Sequence, residues 1–446
     1  MPNPAHNLRI HNWLLKHDPG RLFRGTIALG LSRRVGTTFS FTLGNYLAAI
    51  ITSILTARLL GPEGRGQYAV VFLWATTLAA ATMLSIGDAA GVAAAKARGD
   101  KRVIDAIMRR AFSTAVAATL ALLLPGLALF GAAMSRSGVA PTPFFYGFAA
   151  VTIVSTVANT VICNYQRAHG QYLHFNFARS ITLLLFCLFL VITVWFKIGR
   201  LSLEEVLSVL LAAVMAGALL TAVGAHNLFR DFRWTRPDIV LLARGVGMHG
   251  PVLLLIVSSQ IDRFVGMYTL SAAEFGLFAA AASVAQPPSA LLIITLRALM
   301  IGDATLQDPL AQRGRLRQYA AQVMLAILII SPLAALALYY VVPLAFGREF
   351  TAAAQTAVWL VLGYALAPVR VLLLELGRIT QRNAKAMMIE IIYMLTVLFV
   401  LVVMMREPSG PMFAVALIAG NVVAIAAALT WRYLDAPKVA ETGAAC

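Results

Sequence analysis

Six arginines lie inside or at the ends of long apolar runs: Arg58, Arg65, Arg179, Arg263, Arg297 and Arg370. They are the side chains of this sequence best placed to do chemistry. A charged group inside a bilayer costs about 2.5–3.5 kcal/mol on insertion scales, so such groups usually face an interior path or a partner. Guanidinium carries a planar fork of donors that binds phosphate oxygens two at a time. Arginines facing one cleft would make a path suited to an anionic group such as phosphate.

The stretch Ser258, Ser259, Gln260, Asp262 and Arg263 is the most polar patch within any apolar run. Neighbours in sequence do not face each other on a helix, so Asp262 and Arg263 serve different faces. Arg263 and Gln260 would meet a polar or anionic ligand. Asp262 would tune Arg263 or bind a coupling cation. A structural ion pair, or snorkelling to the membrane surface, is the competing outcome. Asn45 would line the same cleft or bond a neighbouring helix. Asp88, Glu375 and His249 are the other candidates for ion coupling, His249 as a proton carrier. Arg370 follows Pro368, which frees a backbone carbonyl and can kink the helix. Pro287 and Pro288 break another run midway, either as a gating hinge or as a packing kink.

No catalytic constellation stands out. The seven histidines show no metal spacing, and Cys163, Cys187 and Cys446 form no disulfide framework. The Gly61–Gly66 turn has no P-loop lysine. The expectation is a protein without metal or cofactor, and not an enzyme.

The elements that carry these residues are membrane spans. The chain has 446 residues, 60% hydrophobic and 12% charged, with mean hydropathy +0.80. Soluble domains carry roughly twice that charge fraction. Apolar runs fall near 38–59, 68–88, 111–133, 143–163, 178–198, 205–228, 249–268, 275–297, 319–344, 353–375, 386–405 and 411–431. Each is about as long as a hydrocarbon core of about 30 Å requires. The fold class is therefore an all-α integral membrane protein of about twelve helices.

The formal charge of +17 sits in alternate short loops. Lys96, Arg98, Lys101 and Arg102 form one cluster, and Arg230, Arg233 and Arg236 another. The intervening loops hold little beyond Arg65, Arg136, Lys197, Arg200, Arg348 and Arg406. That asymmetry sets both termini in the cytoplasm and leaves no basic soluble face for nucleic acid. Residues 1–36 read as a cytoplasmic or interfacial segment without a cleavable signal. The organisation expected is a lobe over 37–230, a second over 231–432, and a cytoplasmic tail over 433–446.

The two lobes echo each other. Leu60-Gly61-Pro62-Glu63-Gly64-Arg65-Gly66-Gln67-Tyr68-Ala69 recurs loosely, about 210 residues later, as Leu270-Ser271-Ala272-Ala273-Glu274-Phe275-Gly276-Leu277-Phe278-Ala279. Gly170 and Asn176 recur as Gly377 and Asn383. Duplication of a six-helix unit gives two lobes related along the membrane normal, with a cleft between them.

The stretch Thr56-Ala57-Arg58-Leu59-Leu60-Gly61-Pro62-Glu63-Gly64-Arg65-Gly66-Gln67-Tyr68 resembles the opening signature of bacterial polysaccharide flippases of the Wzx type, in the MOP transporter superfamily. The likeness continues at Asn164-Tyr165-Gln166-Arg167-Ala168-His169-Gly170 and at Gln260-Ile261-Asp262-Arg263. It implies a two-lobed, twelve-helix flippase in the bacterial cytoplasmic membrane. The implied substrate is a polyprenyl-diphosphate-linked oligosaccharide, exchanged for an ion. The implied partners are that lipid, the bilayer and other polysaccharide assembly proteins. A cation-coupled antiporter of the same superfamily is the rival, although it would prefer an acidic cavity.

Overall fold

The computed structural model describes residues 33–97, 100–196, 199–230, 233–294, 309–379, 383–404 and 409–434. Among these residues the chain is helical, with no strand. The first half comprises α1 (Arg33–Thr82), α2 (Ile86–Ala95), α3 (Lys101–Arg136), α4 (Pro143–Ala168), α5 (Tyr172–Phe196), α6 (Leu203–Gly224) and α7 (His226–Phe229). The second half comprises α8 (Ile239–Ser258), α9 (Ile261–Thr269), α10 (Ala272–Ala285), α11 (Pro309–Phe346), α12 (Thr351–Ala365), α13 (Ala367–Ile379), α14 (Asn383–Met404) and α15 (Gly410–Leu434). Helices dominate because hydrocarbon offers backbone groups no partners, and a helix satisfies them within itself.

Eleven described stretches are long and apolar enough to cross a membrane. The first, Thr37–Thr82, is two helices joined at Gly61, whose φ of 68° and ψ of 179° interrupt the α geometry. The chain folds back there. Arg65 donates to the Ser53 hydroxyl at 3.1 Å, whereas a continuous helix would hold those residues about 18 Å apart. Counting both arms gives the twelve crossings expected. The two arms are 33–60 and 62–82.

Side-chain caps fix where several spans begin. Asp100 caps α3, Thr142 caps α4 and Asp238 caps α8. Capping boxes of Ser202 with Glu205 and Ser271 with Glu274 open α6 and α10. Each satisfies amide donors that a helix start leaves bare. The leading arm of α1 runs alongside α5 in the same direction. Asn176 donates to the Thr38 hydroxyl at 3.1 Å, Asn45 to the Ser180 hydroxyl at 2.8 Å, and the Leu201 amide to the Leu59 carbonyl at 3.0 Å.

Three expected spans are broken. The second stops at Met83–Ser85, where Leu84 and Ser85 both take left-handed φ, 48° and 49°. The short α2 that follows lays Gly87 and Gly91 against Asn164 and Arg167 of α4. The seventh begins at Ile239, ten residues before the expected 249, and breaks at Ser259–Gln260. Ser258 and Ser259 turn their hydroxyls onto the carbonyls of Leu255 and Ile256, competing with the helical ladder. The tenth parts at Leu366, two residues before Pro368. The run with Pro287 and Pro288 bends at Gln286 and continues helical to 294.

The largest apolar core crosses both halves, joining Phe130, Phe148 and Leu190 to Phe275, Phe350 and Phe413. Gly61 anchors one end of the bundle and Ser85 lies toward the other. The Gly61 conformation belongs to a region open almost only to glycine. Gly61→Ala should lower stability by about 1–3 kcal/mol. Thermal unfolding in detergent, compared with Gly126→Ala, whose added methyl meets nothing within 4 Å, checks this.

Candidate substrate site at the junction of the halves

The junction is built from both arms of α1 and from α9 and α10. Arg65 follows the Gly61 reversal and is buried. Its guanidinium lies 5.1 Å from the Tyr68 ring centroid and donates to Ser53. Ser53 and Ser283 of α10 share a hydroxyl contact of 2.6 Å, and Ser283 donates to the Ala280 carbonyl at 2.6 Å. Each hydroxyl has one proton, so the chain runs from Arg65 to Ser53 to Ser283 to a backbone carbonyl. It crosses from one half to the other.

Arg263 approaches the same seam from α9. It donates to the carboxamide oxygens of Gln260 and, at 2.6 Å, Gln286. Gln286 and Ser283 sit one turn apart and so share a face of the segment. Arg65 and Arg263 thus reach the seam from opposite halves. Among the described residues neither forms an ion pair. Their contacts are hydroxyls, carboxamides and a ring. The junction therefore holds two partly desolvated positive charges with uncharged donors and acceptors around them, an environment suited to a dianionic group.

Asp262 points elsewhere. It is buried and accepts a hydrogen bond from the Tyr364 hydroxyl of α12. Beneath it lies a second polar cluster inside the second half. Arg370 of α13 pairs with Glu390 of α14 and donates Nε to Asn421 of α15 at 3.0 Å. Its guanidinium carbon stands 3.9 Å from the Tyr393 ring centroid. The second oxygen of Glu390 accepts from Ser258 at 2.7 Å. The Arg370 charge is neutralised in place, unlike those of Arg65 and Arg263.

The remaining expected residues scatter. Arg58 is exposed at the Gly61 end and donates to the carbonyls of Leu344 and Ala345, at 2.8 and 2.6 Å. Arg179 is exposed on α5, 5.5 Å from the Phe175 ring centroid. Asn45 bonds Ser180, well away from Arg65. Asp88 lies 3.9 Å from Arg167 at the far end of the bundle. His249 is buried there and bonds the Ser85 hydroxyl at 3.2 Å, linking the halves at that end. Arg297 and the Glu375 side chain lie outside the described residues. Sequence reasoning missed Ser53, Ser283, Gln286, Tyr364, Glu390, Tyr393 and Asn421. Glu390 was within reach, because a carboxylate inside an apolar run is as costly as an arginine.

Removing one partner of a buried ion pair strands the other, at about 3–5 kcal/mol. Glu390→Gln should therefore destabilise the protein by several times more than Asp88→Asn, whose carboxylate is partly exposed. An apolar replacement of both Arg370 and Glu390 should recover most of the loss. Thermal unfolding of the three variants in one detergent tests the ranking.

The sequence profile of a family described as "polysaccharide biosynthesis protein" matches residues 31–300. A search of curated proteins finds no match. Among solved structures, an inward-facing multidrug-resistance MATE transporter of the MOP superfamily aligns at TM-score 0.65 and 16% identity, over 87% of this chain and 94% of that one. The lipid II flippase MurJ, in an inward closed conformation, aligns at TM-score 0.66 and 11% identity, over 89% and 87%. A MATE transporter from Vibrio cholerae aligns at 0.55 and 14%, over 90% and 98%. At such identities the likeness is one of fold, and that fold is the two-lobed helical bundle built above. With most of its length covered by the family profile, the chain belongs to the polysaccharide biosynthesis protein family.

Proposed function

We propose that this protein is a flippase for polyprenyl-diphosphate-linked oligosaccharide, of the Wzx type, in the bacterial cytoplasmic membrane. Both termini face the cytoplasm and the Gly61 end faces outward. The observation that carries this reading is the pair of arginines, Arg65 and Arg263, held at the seam with no carboxylate among the described residues. Burying unpaired guanidinium is costly, and a diphosphate supplies the missing charge in matching planar geometry. Gln260 and Gln286 would hold Arg263 aimed at it. Ser53 would do the same for Arg65. The prenyl chain stays in lipid while the lobes rock, so only the polar head enters the junction. Asp262 and the Arg370–Glu390 pair stand behind this site as the group through which an ion is exchanged.

A second reading has one observation in its favour. The buried carboxylates Asp262 and Glu390 would also serve a cation-coupled antiporter of small molecules, and MATE transporters share the fold. The two readings part on the sign of the charge at the junction, which is positive.

A deletion strain separates them. Lipid-linked sugars are extracted and surface polysaccharide is measured after complementation with wild type, Arg65→Ala, Arg263→Ala and Arg263→Lys. Each alanine variant should let intact oligosaccharide-lipid accumulate and cut surface polymer about tenfold, the effect of about 1.4 kcal/mol. Arg263→Lys keeps the charge but loses the fork, and should fall between. An oligosaccharide-lipid that is never completed would place the protein earlier, among the enzymes of assembly. No change in either pool, with altered resistance to cationic dyes, would favour the antiporter.

A further inference from the structure

The two halves touch most closely where the repeated segments meet. A methyl group built on Gly66 would lie 1.9 Å from the Ala272 carbonyl oxygen, and one built on Gly276 would lie 1.8 Å from the Pro62 carbonyl oxygen. Pro62 and Gly66 correspond to Ala272 and Gly276 in the loose repeat, at the same offset of about 210 residues. Each glycine therefore lies on the carbonyl four residues before its counterpart. The trailing arm of α1 and the start of α10 cross there backbone against backbone. Small residues permit such an approach, and any side chain forbids it. Neither glycine has the positive φ that would require glycine, so the contact with the other half accounts for both.

Independent contacts close the same end. Arg58 of the first half ties the Leu344 and Ala345 carbonyls of the second. Arg200 pairs with Glu349 across the halves, beside Gly61. One level deeper, the Ser53 hydroxyl meets Ser283. We propose that the Gly66–Gly276 crossing is the gate of the Gly61 end, shut in this state, and that Arg58 is its latch. Opening toward that side separates two helix backbones that only glycine lets touch. A methyl group on either glycine prevents full closure and shifts the protein toward the state open at the Gly61 end. The inference rests on the two-lobed alternating-access reading, but its test needs no lipid-linked sugar.

Glu63 and Ala273 are exposed and flank the crossing. Nitroxide labels on Glu63→Cys and Ala273→Cys, with Cys163, Cys187 and Cys446 replaced, report the gate by double electron–electron resonance in nanodiscs. The otherwise unaltered chain should show mainly one short distance. Gly66→Ala and Gly276→Ala should each raise the ratio of long to short populations about tenfold or more, as expected for overpacking a tight contact. Gly126→Ala should leave the distribution unchanged. Arg58→Ala adds no atoms to the crossing, so it answers if the glycine variants fold poorly, and it should move the ratio the same way by a smaller factor. A short distance kept by all three gate variants, or a long distance dominating without any of them, overturns the gate. Distances that move while the lipid pools of the deletion strain do not would leave the gate standing and remove the substrate assignment.

Discussion

The placement of positive charge in a medium that does not solvate it governs the rest of this structure. Three intramembrane arginines meet that constraint in two ways. Arg370 is fully accounted for inside the second half by Glu390, Asn421 and the face of Tyr393. Arg65 and Arg263 are held by hydroxyls and carboxamides, which orient a guanidinium without neutralising it. A buried pair such as Arg370–Glu390 ties α13, α14 and α15 together and has no charge left for a ligand. Arg65 and Arg263, which have no ion-pair partner among the described residues, lie where the halves meet, the place a ligand would pass under the proposed function.

Helical breaks serve the same arrangement. A continuous seventh span would carry Asp262 and Arg263 on a regular helix below its end. The turn at Ser259–Gln260 instead starts a new short helix with Asp262 turned inward to Tyr364 and Arg263 turned to the seam. The reversal at Gly61 likewise brings Arg65 back beside Ser53. Both breaks use residues that tolerate them locally: a glycine at φ 68°, and serines that bond their own preceding turn. Irregular backbone at membrane depth persists only where protein or a polar cavity covers it.

What was legible in the sequence follows from what is local. Span lengths, the reversal at Gly61 and the kinks at Pro287 and Pro368 all rest on residues within one turn of each other. The pairing of halves was visible only as a faint echo, yet Gly66 and Gly276 meet at that echo. The partners of the charges were not legible. Glu390 reaches Ser258 across 132 residues, Tyr364 reaches Asp262 across 102, and Ser53 reaches Ser283 across 230. Nothing in spacing along one helix reports such contacts. Arg370 and Arg263 both read in sequence as arginines inside apolar runs. Only the packing of α13, α14 and α15 around Arg370 makes one a strut and leaves the other open.

Under the proposed function, the like charges at the seam also bear on how the protein avoids moving empty. Arg65 belongs to one half and Arg263 to the other, so in the proposed cycle closing the seam draws like charges toward each other. Repulsion in a medium of low dielectric is stronger than in water, and nothing in the described seam offsets it except oriented dipoles. Under the proposed function a diphosphate between them reverses the sign of that interaction. The loaded seam is then held by charge, while the empty seam is held by backbone contact at Gly66 and Gly276 and by the Arg58 latch. The tight crossing and the charged pair thus act on the same movement from opposite sides. A ligand can shift the balance between the two states only by the difference in its affinity for them, and under the proposed function Arg65 and Arg263, one on each half, are where that difference arises.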